Sequence, residues 1–155
     1  MKNYQKKILW IPPHSERTEI AKLTGFINDK YGTDIKSYEQ LHRWSIENIP
    51  QFWEEVWEHC GITYSEPYST TVNDIKSMPG AKWFEGSKLN YAENLLKFRD
   101  DQIAIKYKSE DKPHRAISYK ELFKEVEKVT HFLRKLGVRK GDRVAGVIPN
   151  IPEAV

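Results

Sequence analysis

Between Ser118 and Gly137 the apolar side chains fall at Leu122, Val126, Val129, Leu133 and Leu136. That spacing of three and four residues predicts one helix with a single apolar stripe, which Phe123 and Phe132 widen. Such a stripe must be buried against another layer, so it limits the folds open to the chain. Ser118 and Glu121 form a Ser-x-x-Glu box at the start of the helix, and Gly137 supplies its C-terminal cap. Upstream, Ile103, Ile105 and Tyr107 alternate with Gln102, Ala104 and Lys106, the period of a strand. Ser109 to Pro113 is turn chemistry, followed by a short strand around Ala116-Ile117. Downstream, Gly141-Asp142 reads as a turn and Arg143 to Ile148 as a mostly apolar strand, of the kind buried on both faces of a parallel sheet. Strand, helix, strand in this order predicts a βαβ unit. Asn150 and Glu153 read as a further helix start with Pro152 in its first turn. The sequence reaches Val155 after barely one turn, so this reading expects a fold that continues.

The first hundred residues read as mainly helical. The double proline after Ile8-Leu9-Trp10-Ile11 enforces an extended entry. Ser15 is expected to cap a helix running to about Tyr31, with Ile20, Leu23 and Ile27 on one face and Gly32 just past its end. Ser37 and Gln40 form a second capping box ahead of Leu41 and Trp44. Pro50 fits the first turn of a third helix, whose stripe is Phe52, Trp53, Val56, Trp57 and Cys60 and which ends at Gly61. Residues 62–88 show no period and read as a long connection laid over a surface. Asn90 with Glu93 caps a short helix bearing Leu95, Leu96 and Phe98.

Composition narrows the function classes. With 39% hydrophobic and 30% charged residues, the chain has the balance of a globular protein with a real core. Its five Trp are candidates to anchor that core. A net charge of +3 argues for neither a nucleic-acid nor a membrane partner. Met1 to Lys7 hold three Lys with no apolar segment behind them, so no signal peptide is expected, and no apolar run approaches membrane-spanning length. The single cysteine, Cys60, excludes an internal disulfide. These features favour a cytosolic protein.

The chemistry-bearing motifs are missing. Five residues rather than four separate Gly80 from Gly86, and Ser87 rather than Lys follows, so no phosphate loop is present. His14, His42, His59, His114 and His131 lack metal-ligand spacing. His59-Cys60 is not a nucleophile pair, because helix neighbours point about 100° apart; a buried Cys beside a surface His is the expectation. Arg134, Lys135, Arg139, Lys140 and Arg143 form a basic cluster suited to a phosphorylated ligand, but cations at a helix C-terminus ordinarily complement its dipole. Trp53 and Trp57, one turn apart, read as core packing rather than as a stacking platform. No catalytic, cofactor-binding or metal residue is assigned.

Several stretches resemble the N-terminal region of acetoacetyl-CoA synthetases, in the adenylate-forming acyl-CoA synthetase superfamily. They run from Ser37 to Ser45, then Phe52-Trp53, Met78 to Gly86, Leu89 to Leu96, Ser118 to Leu122, Gly141 to Gly146 and Pro149 to Ala154. The last two are shared widely across the superfamily. Leu89 to Leu96 and Met78-Pro79-Gly80-Ala81 are more specific, and Glu85 stands where the family usually has Pro. The resemblance implies a mixed α/β fold: a helical N-terminal wrap over residues 1–100, then residues 101–155 as the first βαβ portion of the AMP-binding domain. Together they would form an incomplete part of the large N-terminal domain. It also implies an acid–thiol ligase that forms an acyl-adenylate from ATP and acetoacetate, with Mg²⁺ assisting, and then a thioester with CoA. The motifs that carry this chemistry lie downstream in the family, so this segment is expected to be inactive and to bind none of these groups. Its expected partner is the remainder of the same polypeptide. Two other readings stay open: a segment of an acetyl- or other short-chain acyl-CoA synthetase, and a non-catalytic interaction module.

Overall fold

The computed structural model describes residues 9–110 and 113–155. Met1 to Ile8, and Asp111 and Lys112 of the expected turn, lie outside the described residues. The chain divides into two compact units, Met1–Leu89 and Asn90–Val155.

In the first unit, helices α1 (Glu19–Tyr31), α2 (Tyr38–Glu47) and α3 (Ile49–His59) follow one another. The cap of α1 is Thr18 rather than Ser15, which belongs instead to a 3-10 turn, Ser15–Arg17. Both residues are good caps, but Thr18 has the extended backbone that brings its Oγ1 to accept the Ala21 N–H at 3.4 Å. Gly32 closes α1 in the left-handed conformation, φ 64°, where a side chain is costly. The Ser37–Gln40 capping box of α2 forms as expected, and Pro50 lies in the first turn of α3. Ile27, Ile35 and Leu41 make the buried core, with Leu23, Tyr31, Trp44 and Phe52 packed against it.

Residues 62–88 are not structureless. They hold an antiparallel hairpin of β1 (Thr70–Val72) and β2 (Trp83–Glu85), with Thr70 opposite Glu85 and Val72 opposite Trp83. Asn73 Oδ1 accepts the Lys82 N–H at 2.8 Å and so ties the hairpin together at its turn. Phe84 on β2 has a left-handed backbone, φ 47°, which costs a non-glycine residue about 1 kcal/mol. Its ring lies 4.5 Å from that of Trp57 and 5.1 Å from that of Tyr68. Packing against α3 holds the strained strand in place.

The second unit opens with α4 (Tyr91–Leu95), capped by Asn90, and buries Leu96. Strands β3 (Ile103–Tyr107) and β4 (Arg115–Ser118) form an antiparallel pair, and α5 (Tyr119–Lys135) follows with the Ser118–Glu121 capping box intact. Gly137 lies just past its end with φ 86°.

Two expectations change here. Residues 143–148 form no strand, so the third element of the βαβ unit is missing: Val144, Val147 and Ile148 are exposed and pair with no ladder. An apolar run signals a need for burial, but a strand also needs a neighbour to bond with. The last segment is a 3-10 turn, Pro152–Ala154, preceded by Ile151; Asn150 does not cap it. The stripe of α5 is only partly covered. No residue of this helix is buried, and Val129, Phe132 and Leu136 are more than half exposed. No helix among the described residues is long and apolar enough to cross a membrane.

Candidate functional site

Among its described residues, the first unit carries one buried charge. Glu55, on α3, is 4% exposed and accepts hydrogen bonds from Lys30 Nζ at 2.6 Å and from the Tyr31 hydroxyl at 2.9 Å, both on α1. Lys30 also lies 3.4 Å from Glu58. A carboxylate placed here needs such partners, because burial otherwise favours its neutral form. Its hydrogen bond to Glu55 holds the Lys30 ammonium well above its ordinary range. Burial first, and then the bond to Glu55, push Tyr31 up to about 12. A catalytic base needs a proton affinity near working pH. These groups are driven the other way, so the cluster clamps α1 to α3 and does not transfer protons at neutral pH.

The clamp makes alkaline stability predictable. The unfolded chain releases the Tyr31 proton near pH 10, while the folded chain keeps it to about 12. Between these values the folded state binds more protons, so stability falls as pH rises. Lys30, shifted upward as well, extends the loss further into the alkaline range. Urea midpoints read from pH 9 to 11.5 should therefore fall, and Tyr31→Phe should flatten the fall. An unchanged slope in that variant would show that the hydroxyl is not held as described.

His59 and Cys60 reverse the expected arrangement. Cys60 is exposed, while the His59 side chain is 14% exposed and its ring meets Phe26 edge-on at 5.7 Å. Its Nε2 lies 3.3 Å from Glu19 but is not aligned for a hydrogen bond, so that buried nitrogen goes unpartnered. The helix turns His59 toward α1, and Cys60, one position on, points away.

The second unit has a groove of about 960 Å³ formed by β4, α5 and the 3-10 turn at residues 152–154. Its apolar wall is Ile117, Leu122, Val126 and Val129. The volume suits a small ligand, but its principal charged groups are engaged. The Arg115 guanidinium donates to Glu153 at 2.8 Å. Glu121 accepts the Ser118 backbone N–H and hydroxyl, each at 2.9 Å, and these bonds hold its carboxyl below the usual range. It caps α5 and is not a spare acid. A second groove, of about 580 Å³ in the first unit, is lined by Asn28 and Ser37. There Asn28 bonds both the N–H and the carbonyl of Ile35, and Ser37 caps α2.

Arg134, Lys135, Arg139, Lys140 and Arg143 are all exposed, with the first two in the last turn of α5. Arg134 and Lys135 sit at the negative end of the helix dipole, where cations are favoured and a phosphate is not. Trp57 is packed among Tyr64, Tyr68 and Phe84 as core, whereas Trp53 is 43% exposed and meets Trp83 edge-on. Among the described residues, no group of three or more His, Cys, Asp or Glu is placed to hold a metal ion. No reaction step is assigned to these residues. Sequence reasoning missed the Lys30–Tyr31–Glu55 cluster, whose only local signal is a charge at position 55 inside an apolar stripe.

Comparison with known proteins supplies what the geometry lacks. Residues 38–95 match the family described as acetyl-coenzyme A synthetase N-terminus, and residues 92–155 match the AMP-binding enzyme family. The acetoacetyl-CoA synthetase of Danio rerio is 38% identical over 97% of this chain and 23% of its own length. The malonamoyl-CoA synthetase of Penicillium aethiopicum is 34% identical over 97% of this chain and 22% of its own. The structure of acetoacetyl-CoA synthetase from Streptomyces lividans superposes with a TM-score of 0.80 at 37% identity, over 90% of this chain and 22% of that one. The chain thus spans under a quarter of the length of the relatives it matches.

Proposed function

We propose, on the premise that this chain belongs to the acetoacetyl-CoA synthetase family of AMP-binding enzymes, that the whole protein is an acid–thiol ligase acting on acetoacetate. The carrying observation is likeness along nearly the entire chain to relatives of that activity, with the fold matched at a TM-score of 0.80. In this reading ATP activates the acid as an acyl-adenylate with Mg²⁺ assisting, and CoA then takes the acyl group as a thioester in the cytoplasm. Residues 1–100 act as the helical N-terminal extension and residues 101–155 as the opening portion of the AMP-binding domain. The segment supports the fold and contributes no reacting group, in keeping with the engaged polar groups of both units.

The acid itself is read from the relatives. Acetoacetyl and malonamoyl groups share a second carbonyl one methylene away from the activated carboxyl carbon. Two relatives of similar identity thus differ only at the far end of one small acid class. The substrate class is therefore a short 3-oxo acid, with acetoacetate first and malonamate as the second reading.

Acid-dependent ATP–pyrophosphate exchange tests both parts. Residues 1–155 alone should give no exchange above the blank with acetoacetate, malonamate or acetate. Exchange by the chain alone would refute its supporting role. In the whole protein, acetate outpacing both 3-oxo acids would refute the substrate class.

A further inference from the structure

Three consecutive apolar side chains lead into the first unit. Leu9, Trp10 and Ile11 are 89%, 72% and 64% exposed, and they run into Pro12 and Pro13. Two prolines in a row fix the backbone of that root and keep it extended. Pro12 itself lines the groove of about 580 Å³ in this unit. Ile20, Ala21 and Gly25 of α1 form one side of the groove, and Ile35 and Leu41 lie on the other. Gly25 is exposed, and a Cβ placed there would meet nothing within 4 Å. The polar groups that share the groove are satisfied within the unit. Thr24 Oγ1 donates to the Ile20 carbonyl at 2.7 Å, Asn28 holds both backbone groups of Ile35, and Ser37 caps α2. The room left is therefore suited to an apolar occupant.

We propose that Leu9, Trp10 and Ile11 form a strap, open in this structure, that closes into the groove from the Pro12–Pro13 root and lays Trp10 over Gly25. The occupant follows from continuity, because the last residue before the strap's root already forms part of the groove wall. Reach agrees with this. Three extended residues span about 10 Å, and the stretch of α1 from Ile20 to Gly25 rises about 7.5 Å. Ala21 and Gly25 stand one turn apart on the same helix face, and their small size leaves space there for a broad indole. Closure takes three large apolar side chains out of water and displaces none of the hydrogen bonds named above. Its entropic cost is confined to a few residues, because the prolines at the root are already restricted. The strap is also tethered beside its groove, so it outcompetes the same segment of a second copy. Once closed, it ties the entry segment to α1 and α2 and leaves the Lys30–Tyr31–Glu55 clamp untouched.

Disulfide trapping tests the strap in the chain as it stands. Cys60 is first removed as Cys60→Ser, and Trp10→Cys is then combined with Gly25→Cys. The control combines Trp10→Cys with Arg43→Cys, an exposed position about 200° around α2 from Leu41. Both pairs are equilibrated with a glutathione redox buffer, and the bridged fraction within single chains is read by mass. A disulfide needs its two Cα atoms within about 7 Å, so the closed strap should favour the bridge from position 10 to position 25 over the control by at least about tenfold. The reduced variants should keep the far-UV spectrum of the parent, since position 10 lies outside every helix and position 25 has room for the new side chain. Equal bridging by the two pairs would overturn the proposal. So would a bridge from position 10 to position 25 that forms between chains and not within one, which would place the strap on a second copy. As a readout free of cysteine, Trp10→Ala should speed amide exchange over Ala21–Asn28 at least about threefold, while Tyr119–Lys135 stays as it was. Unchanged exchange over Ala21–Asn28 would also overturn it.

Discussion

Replacing Trp57 by alanine should cost this chain about 4 kcal/mol, the largest single loss expected from the fold. Trp57 is 9% exposed, and its ring meets those of Tyr64, Tyr68 and Phe84 between 4.5 and 5.7 Å. Removing it opens a cavity among rigid rings that cannot close together, so the cavity cost adds to the lost burial. It also withdraws the support that keeps Phe84 in its left-handed conformation. The β1–β2 hairpin should therefore lose amide protection before α1 and α2 do. Trp53→Ala is the matched control: that ring is 43% exposed, and its removal should cost about 1 kcal/mol. Equal urea midpoints for the two variants would contradict the packing described.

Glu55→Ala should rank second, at about 2 kcal/mol. It leaves the Tyr31 hydroxyl without its acceptor and Lys30 without its closest partner. Breaking a fully buried pair costs more than this, but the Lys30 side chain is 45% exposed and can turn to water. Glu55→Gln keeps an acceptor for Tyr31 and should lose about half as much. Glu58→Gln, at a carboxylate 58% exposed, should stay within about 0.5 kcal/mol of the parent. If Glu58→Gln proved as damaging as Glu55→Ala, the clamp would lie elsewhere.

Local signals were read correctly where the physics is local. Both capping boxes, Ser37–Gln40 and Ser118–Glu121, close within three residues, so residue types and spacing suffice to find them. Gly32 and Gly137 mark helix ends for the same reason. The hairpin at residues 70–85 escaped notice because its strands are three residues long and its register rests on bonds across the turn, such as Asn73 to Lys82. At 143–148 the apolar run reports a preference for burial and says nothing of a pairing partner. The Glu55 clamp joins residues 25 and 24 positions apart, and no periodicity encodes that. Ser15 against Thr18 was a contest between two good caps, decided by backbone geometry. The direction of His59 and Cys60 turned on how α1 meets α3, which is tertiary as well.

The same division explains the candidate site. Absence of a phosphate loop and of metal-ligand spacing was legible in the sequence, because those motifs are themselves local. The family was legible through short stretches spread along the whole chain, and the comparisons follow the same span. The acid is not encoded in this segment: relatives named for different acids match it along the same 97% of the chain, at 38% and 34% identity.

The most direct test of the account is acetoacetate-dependent ATP–pyrophosphate exchange by the chimera that carries residues 1–155 in place of the matched stretch of the Streptomyces lividans enzyme. The account predicts exchange that requires acetoacetate and survives the replacement, with residues 1–155 alone silent. A folded chimera without exchange would contradict it.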